Sequence, residues 1–274
     1  MSDFDRNIAT APFGPSIGRA GTVAVDQGLR AYMLRIYNYM VLGLAITGLA
    51  ALGIYRASVT GDAANAAQVV RNGIESYARI SGDLYWTPIG QLIFGGPIKW
   101  LVIVAPLALV FVISFGIDRL RPVTAQVLFW IYAALVGVSL GSIFIVFTHA
   151  SIVRVFFITA ASFGALSLWG YTTQRDLTGL GSFLLMGLFG VILASLVNLF
   201  MRWDTLQFIV SVAGVLVFAG LTAWDTQQLK NEYIYAAMDE ETAERSSILG
   251  ALSLYLSFIN LFTLLLQLLG QHEE

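Results

Sequence analysis

The sequence contains no cysteine, which excludes disulfides, thiolate chemistry and Cys-ligated metal sites. Charge is scarce as well. Only 12% of the 274 residues are Asp, Glu, Lys or Arg, and a formal net charge of −2 gives no reason to expect nucleic acid as a partner. The two histidines, His149 and His272, are too far apart to suggest a zinc site. No phosphate-binding loop, Gly-x-Ser-x-Gly turn or His-Glu-x-x-His pair is present, so the chain does not read as an enzyme and no cofactor is expected. What is abundant is apolar: 57% hydrophobic residues and a mean hydropathy of +0.76. Such a composition belongs to an all-α integral membrane protein whose first partner is the lipid bilayer.

Seven segments are long enough to span a bilayer. They lie near residues 40–55, 100–117, 123–148, 152–171, 180–201, 208–233 and 248–270. Residues 1–25 carry Gly, Pro, Ser and Thr without periodicity and are expected to form a flexible cytoplasmic tail. A helix should start at Asp26, a plausible N-cap, and the membrane domain then occupies 26–270, followed by a short tail at 271–274. The N-terminus lacks the basic and apolar regions of a cleaved signal, which leaves the first span as its own targeting signal. Pro106 marks a candidate kink in the second span. Residues 56–99 are too long for a plain connection and are expected as an external loop insertion, with Ala63–Ile80 a surface helix.

Flanking cations set the orientation. Arg30 and Arg35 precede the first span, and Arg119 and Arg121 occupy the turn between the second and third, which places the N-terminus in the cytoplasm. With seven full crossings the C-terminus is external; a re-entrant last segment would return it inside.

Asp225 is the acidic residue that falls at the edge of an apolar run, Phe208–Trp224, and a carboxylate at membrane depth is a functional candidate. A helix ending there would put the charge on the wrong end of the macrodipole, so the helix is expected to continue to about Tyr233. Thr222, Leu221, Phe218 and Gly214 share its face, a mixture that leaves open whether this face meets protein or lipid. The alternative is an interfacial Asp touching water. In the seventh segment Ser253, Ser257 and Asn260 fall at i, i+4 and i+7, either interhelical glue or a polar pathway. Arg119 and Arg121 are the nearest cations to neutralise Asp225, unless they act only as topology signals.

The stretch Gly220-Leu-Thr-Ala-Trp-Asp-Thr-Gln-Gln-Leu-Lys230 resembles the signature of the Bax inhibitor-1 (TMBIM, YccA-like) family. Leu29-Arg-Ala-Tyr-Met-Leu-Arg-Ile-Tyr-Asn-Tyr39, Asp176-Leu-Thr-Gly-Leu-Gly-Ser-Phe-Leu and Leu254-Tyr-Leu-Ser-Phe-Ile-Asn-Leu-Phe262 agree with it. The resemblance implies a seven-helix bundle with the last helix central, in the plasma (inner) membrane of a bacterium. It also implies a pH-sensitive calcium leak or, in the alternative, a non-transporting regulator such as a modulator of a membrane protease. In YetJ-like members two facing aspartates and an arginine form the calcium-sensing site. Asp225 matches the first aspartate and Arg119 the arginine, while Ser253 and Asn260 border the pathway and calcium is the implied transported ion.

At the second aspartate this chain has Ser257. Two close carboxylates can share a proton, and that coupling makes a pH switch; a Ser–Asp pair has one titrating group. Calcium favours several oxygen ligands with carboxylate charge. The sensor is therefore incomplete.

Overall fold

The computed structural model describes residues 16–71, 74–81, 84–117, 120–236 and 239–272. Among them, seven helices are long and apolar enough to cross a membrane. These are α1 (Ser16–Ser58), α3 (Ile98–Gly116), α4 (Pro122–Leu140), α6 (His149–Thr172), α7 (Thr178–Met201), α8 (Asp204–Ala236) and α9 (Glu240–Leu269). The short α2 (Pro88–Gly90) and α5 (Ile143–Val146) lie between them. Pro106 sits inside α3, which is one continuous helix across it.

Two boundaries differ from expectation. Helix α1 begins at Ser16, so residues 16–25 of the expected tail are helical, while 1–15 lie outside the described residues. Helix α9 begins at Glu240, ahead of the span expected from 248, because Asp239 caps it. The Asp239 carboxylate accepts from the Thr242 backbone N–H at 3.0 Å and from its hydroxyl at 2.9 Å. These bonds satisfy an orphan donor of the first turn and hold the Asp239 carboxyl below the usual range.

Packing is inverted relative to a soluble protein. The outer helices turn large side chains outward, Phe115 of α3 being 83% exposed and Phe200 of α7 80% exposed. In α9, by contrast, Leu254, Tyr255, Leu261 and Leu266 are buried. Helix α9 is central, packed chiefly on α1, α4, α6 and α8, with α3 applied to α4 and α7 to α8. Because lipid is as apolar as leucine, close approach comes from small residues. Gly137 lets α4 lie on the backbone of α1 at Thr47, and Gly170 lets α6 lie on the backbone of α8 at Ala223.

The last segment crosses the whole bundle. At its start, Ser246 Oγ is 2.7 Å from Tyr32 Oη and Glu244 is 3.9 Å from Arg35, both near the start of the α1 span. At its end, Gln271 N–H donates to Ser151 Oγ and the Gln271 carbonyl accepts from Thr148 N–H, each at 2.9 Å. The His272 ring stands 4.8 Å from Phe147. The expected free tail is thus docked as far as His272 on the start of α6, and the re-entrant alternative is set aside. Residues 273–274 lie outside the described residues.

The 56–99 loop is folded, and its expected helix is replaced by strands. β1 (Val59–Thr60), β5 (Leu84–Trp86) and β4 (Arg79–Ser81) form an antiparallel sheet in that order. β2 (Gln68–Arg71) and β3 (Ile74–Tyr77) form a separate hairpin, with Gln68 opposite Tyr77 and Arg71 opposite Ile74. Residues rich in Val, Ile and Tyr favour this pleated pairing over a helix. The sheet is stapled to α1 by Thr87, whose hydroxyl donates to Ala57 O at 2.6 Å and whose N–H donates to Ser58 O at 3.0 Å. Two carbonyls of the last turn are satisfied in this way.

The β2–β3 hairpin is separable from this staple, since Ala78 N–H donates to Ala67 O at 2.8 Å across its base. Replacing residues 68–77 with a two-residue Asn-Gly turn should leave the bundle inserted. Size-exclusion profile and helical circular dichroism in detergent check this, and aggregation would show the hairpin to be required.

Candidate functional site

Beyond Asp225 the sequence of α8 turns polar without ending the helix, and its side chains reach different neighbours. Asp225 lies in the helix interior, as the dipole argument requires. Its Oδ2 accepts a hydrogen bond from Ser257 Oγ of α9 at 2.9 Å. Thr226 faces the other way. Its hydroxyl donates to Thr222 O at 2.8 Å, so its proton is spent. Ser167 of α6, 2.9 Å away, is therefore the donor to Thr226, and Tyr37 of α1, 2.6 Å from Ser167, donates to Ser167. The chain Tyr37–Ser167–Thr226 joins three helices with one consistent proton order.

Gln227 clamps the connection between α6 and α7. Its Oε1 accepts from Leu177 N–H and its Nε2 donates to Arg175 O, both at 2.8 Å. Lys230 Nζ donates to Tyr171 O at 3.0 Å and lies 5.6 Å from the Tyr171 ring centroid. A cation there satisfies a last-turn carbonyl of α6 and complements its negative end. Neither Gln227 nor Lys230 was expected as a site residue; the clue was a dense polar run in a helix still flanked by buried Leu221 and Leu229.

On the Asp225 side, α7, α8 and α9 enclose a cleft of about 590 Å³. Phe218, Leu221 and Asp225 line it, so this face of α8 looks into the cleft toward α7 and α9. Ser253, Ser257 and Asn260 line it too, so the predicted stripe is brought together with the predicted carboxylate. Ser253 faces Asp225 one turn before Ser257. The stripe continues through Thr263 to Gln267. From Ser253 to Gln267 it rises about 21 Å at 1.5 Å per residue, against a hydrocarbon core of about 30 Å.

The direction of the hydrogen bonds gives this cleft its character. Asn260 Nδ2 donates to Leu256 O at 2.8 Å, Thr263 Oγ1 to Ile259 O at 3.0 Å and Ser195 Oγ to Val191 O at 2.8 Å. Ser257 spends its proton on Asp225. The Ser257, Thr263 and Ser195 hydroxyls have no second proton, so they offer lone pairs to the cleft, while the Asn260 amide keeps one N–H and its oxygen. Ser257 bonds between helices, whereas Asn260, Thr263 and Ser195 close on their own helix.

At the far end the cleft meets an amide cluster that was not anticipated. Gln267 Oε1 accepts from Gln207 Nε2 at 2.7 Å and from Ser211 Oγ at 2.9 Å, and Gln207 Oε1 accepts from Asn198 Nδ2 at 2.8 Å. Three uncharged amides and a serine, all but Gln207 from segments read as apolar, tie α7, α8 and α9 together. Arg119 lies outside the described residues. Arg121 is exposed at the N-cap of α4, and among the described residues no cation pairs with Asp225. Also among the described residues, no group of three or more His, Asp or Glu is placed to hold a metal.

Gln227→Ala should leave the Leu177 N–H buried and unpaired, at a cost of about 1–3 kcal/mol. Thermal unfolding in detergent measures it. An unchanged midpoint would show that the clamp does not hold the connection.

The match to a family model described as inhibitor of apoptosis-promoting Bax1 extends over residues 29–274. The inner membrane protein YbhL of Escherichia coli is 44% identical over 249 residues, covering 90% of this chain and 94% of that protein. An uncharacterised protein of Caulobacter vibrioides is 40% identical over the full length of both chains. One of Rickettsia prowazekii is 43% identical over 91% of this chain and 93% of its own. With the family model covering nearly the whole membrane domain and relatives 43% and 44% identical over 91% and 90% of the chain, the chain belongs to the Bax inhibitor-1 family of membrane proteins.

Proposed function

We propose that this protein is a slow cation leak whose route is the cleft between α7, α8 and α9, and that it passes monovalent cations in preference to calcium. The observation that carries the reading is one carboxylate in a cleft lined by hydroxyl lone pairs: Asp225 with Ser257 hydrogen-bonded to it, then Thr263 and Ser195 with their protons turned into their own helices, and the Asn260 amide between them. Lone pairs attract cations and repel anions. One carboxylate with neutral oxygens matches a single positive charge better than a divalent ion, which prefers several charged ligands. No enzymatic reaction is part of this reading. A second reading, a non-transporting regulator such as a membrane protease modulator, draws on the folded 56–99 loop as a contact surface.

Reconstituted in liposomes, the native chain should pass sodium or potassium and give little calcium entry. Asp225→Asn should reduce the monovalent flux by about tenfold or more, as expected for loss of a charge at low dielectric. Ser257→Asp should add a second carboxylate beside Asp225 and produce calcium entry that varies between about pH 6 and 8. Strong pH-dependent calcium entry with native Ser257 would overturn the monovalent preference. No flux of any cation would favour the regulator.

The orientation belongs to the same proposal: a bacterial inner membrane protein with its N-terminus in the cytoplasm. The chain has no native cysteine, so single cysteines report cleanly. A cysteine at Gly61 should react with a membrane-impermeant maleimide added outside, and one at Gln174 should not. The reverse labelling would invert the topology.

A further inference from the structure

A second concavity lies on the opposite side of the bundle from the cleft. It is a groove of about 1190 Å³ between α1 and α6, with walls that are almost wholly apolar. Its width comes from small side chains: Ala45 and Gly48 on α1 face Ala160 and Gly164 on α6, and a Cβ added at Gly48 or Gly164 would meet nothing within 4 Å. The two helices are joined across its floor by the Tyr37–Ser167 hydrogen bond. Their antiparallel pairing sets Tyr171 at the same end as Arg30.

We propose that this groove holds one anionic glycerophospholipid, with its acyl chains along the half nearest Arg30 and its phosphate at the Arg30 guanidinium. Polarity runs in the right order. Arg30 lines the mouth, is exposed, and has no acidic partner among the described residues, whereas Arg35 nearby is engaged by Glu244. Beyond the mouth the lining is Met33, Leu34, Met40, Val41 and Leu44, with no charge.

Charge order favours a lipid over a transmembrane helix: a single cation at one mouth with apolar walls below it matches one headgroup above its acyl chains. Acyl chains are thin and flexible enough to lie along that half. One leaflet is about 15 Å deep, or roughly ten helical residues from Arg30. That reach includes Met40 and the level of Gly164, three residues from Ser167, but not Gly48. The site is on the far side of α8 from Asp225, so it stands whether or not the cleft conducts.

The test is native mass spectrometry of the detergent-purified full chain, offered phosphatidylglycerol or phosphatidylcholine. The native chain should retain one phosphatidylglycerol, about fivefold more than phosphatidylcholine, the discrimination expected of one cation at the headgroup. Arg30→Gln, a surface change, should remove that preference. Gly164→Phe should abolish retention by filling the groove, while Gly48→Phe should leave it intact. Equal retention of the two lipids, or undiminished retention by a monodisperse Gly164→Phe chain, would overturn the proposal. So would equal loss in both glycine variants, or a lipid-free dimer that Gly164→Phe dissociates.

Discussion

A carboxylate inside a lipid-length helix has to be met by polar groups on its neighbours, because no water is at hand to do it. Here that demand falls on the two turns of α8 from Asp225 to Lys230. Asp225 is met by α9, Thr226 by α6 and through it α1, Gln227 by the connection into α7, and Lys230 by the end of α6. Each bond is a modest term of roughly 0.6–2 kcal/mol in a membrane. Their joint effect is on register. A slide of α8 by one residue along its axis would break all of them at once, so this short segment fixes where four other elements stand.

Close packing does the remainder. No hydrophobic force separates helix faces from lipid tails, so contact depends on fit. Gly170 brings α6 onto α8 directly above the Thr226 level, and Gly181 admits the Trp224 indole between α7 and α8. Trp224 precedes Asp225, so its seat on α7 leaves the carboxylate turned toward α9 and the cleft. The central α9 is held at both ends, by Tyr32 and Arg35 at its start and by Ser151 beyond its finish. The α7 side of the cleft, touched mainly through α8, is the wall with fewest ties to the centre.

Much of this is written in the sequence, and the misreadings have local causes. Runs of about twenty apolar residues admit one structure in a bilayer, which is why every span was legible. Asp225 and the Ser253–Ser257–Asn260 stripe stand out against leucine as a charge and a polar face, but that they face each other was implied only by the family resemblance. The 63–80 segment was misread because its alanines suggested a helix, although Asn72-Gly73 separates two β-rich runs by two residues, a hairpin signal. Gly18 and Gly21 lower helix propensity and hid the start of α1. The amide cluster was invisible for a different reason. Gln267 lies 60 residues beyond Gln207, and only the packing of α7, α8 and α9 shows that it meets Gln207 and Asn198 in one cluster.

The exchange of a carboxylate for Ser257 changes more than charge. Two carboxylates at hydrogen-bond distance can coexist only if one holds a proton or a cation lies between them, so such a site is bound to its surroundings by a coupled titration. A serine hydroxyl carries its own proton and donates it to Asp225 in every state in which the carboxylate is charged. The like-charge conflict disappears, and with it the need for a counter-ion at that position. This is consistent with a site that has no cationic partner among the described residues yet keeps Asp225 in the helix interior. One titrating group can pass at most one proton through its transition. Any response of this pair to pH is therefore shallower than a two-carboxylate site allows, and the cation it attracts meets one negative charge instead of up to two.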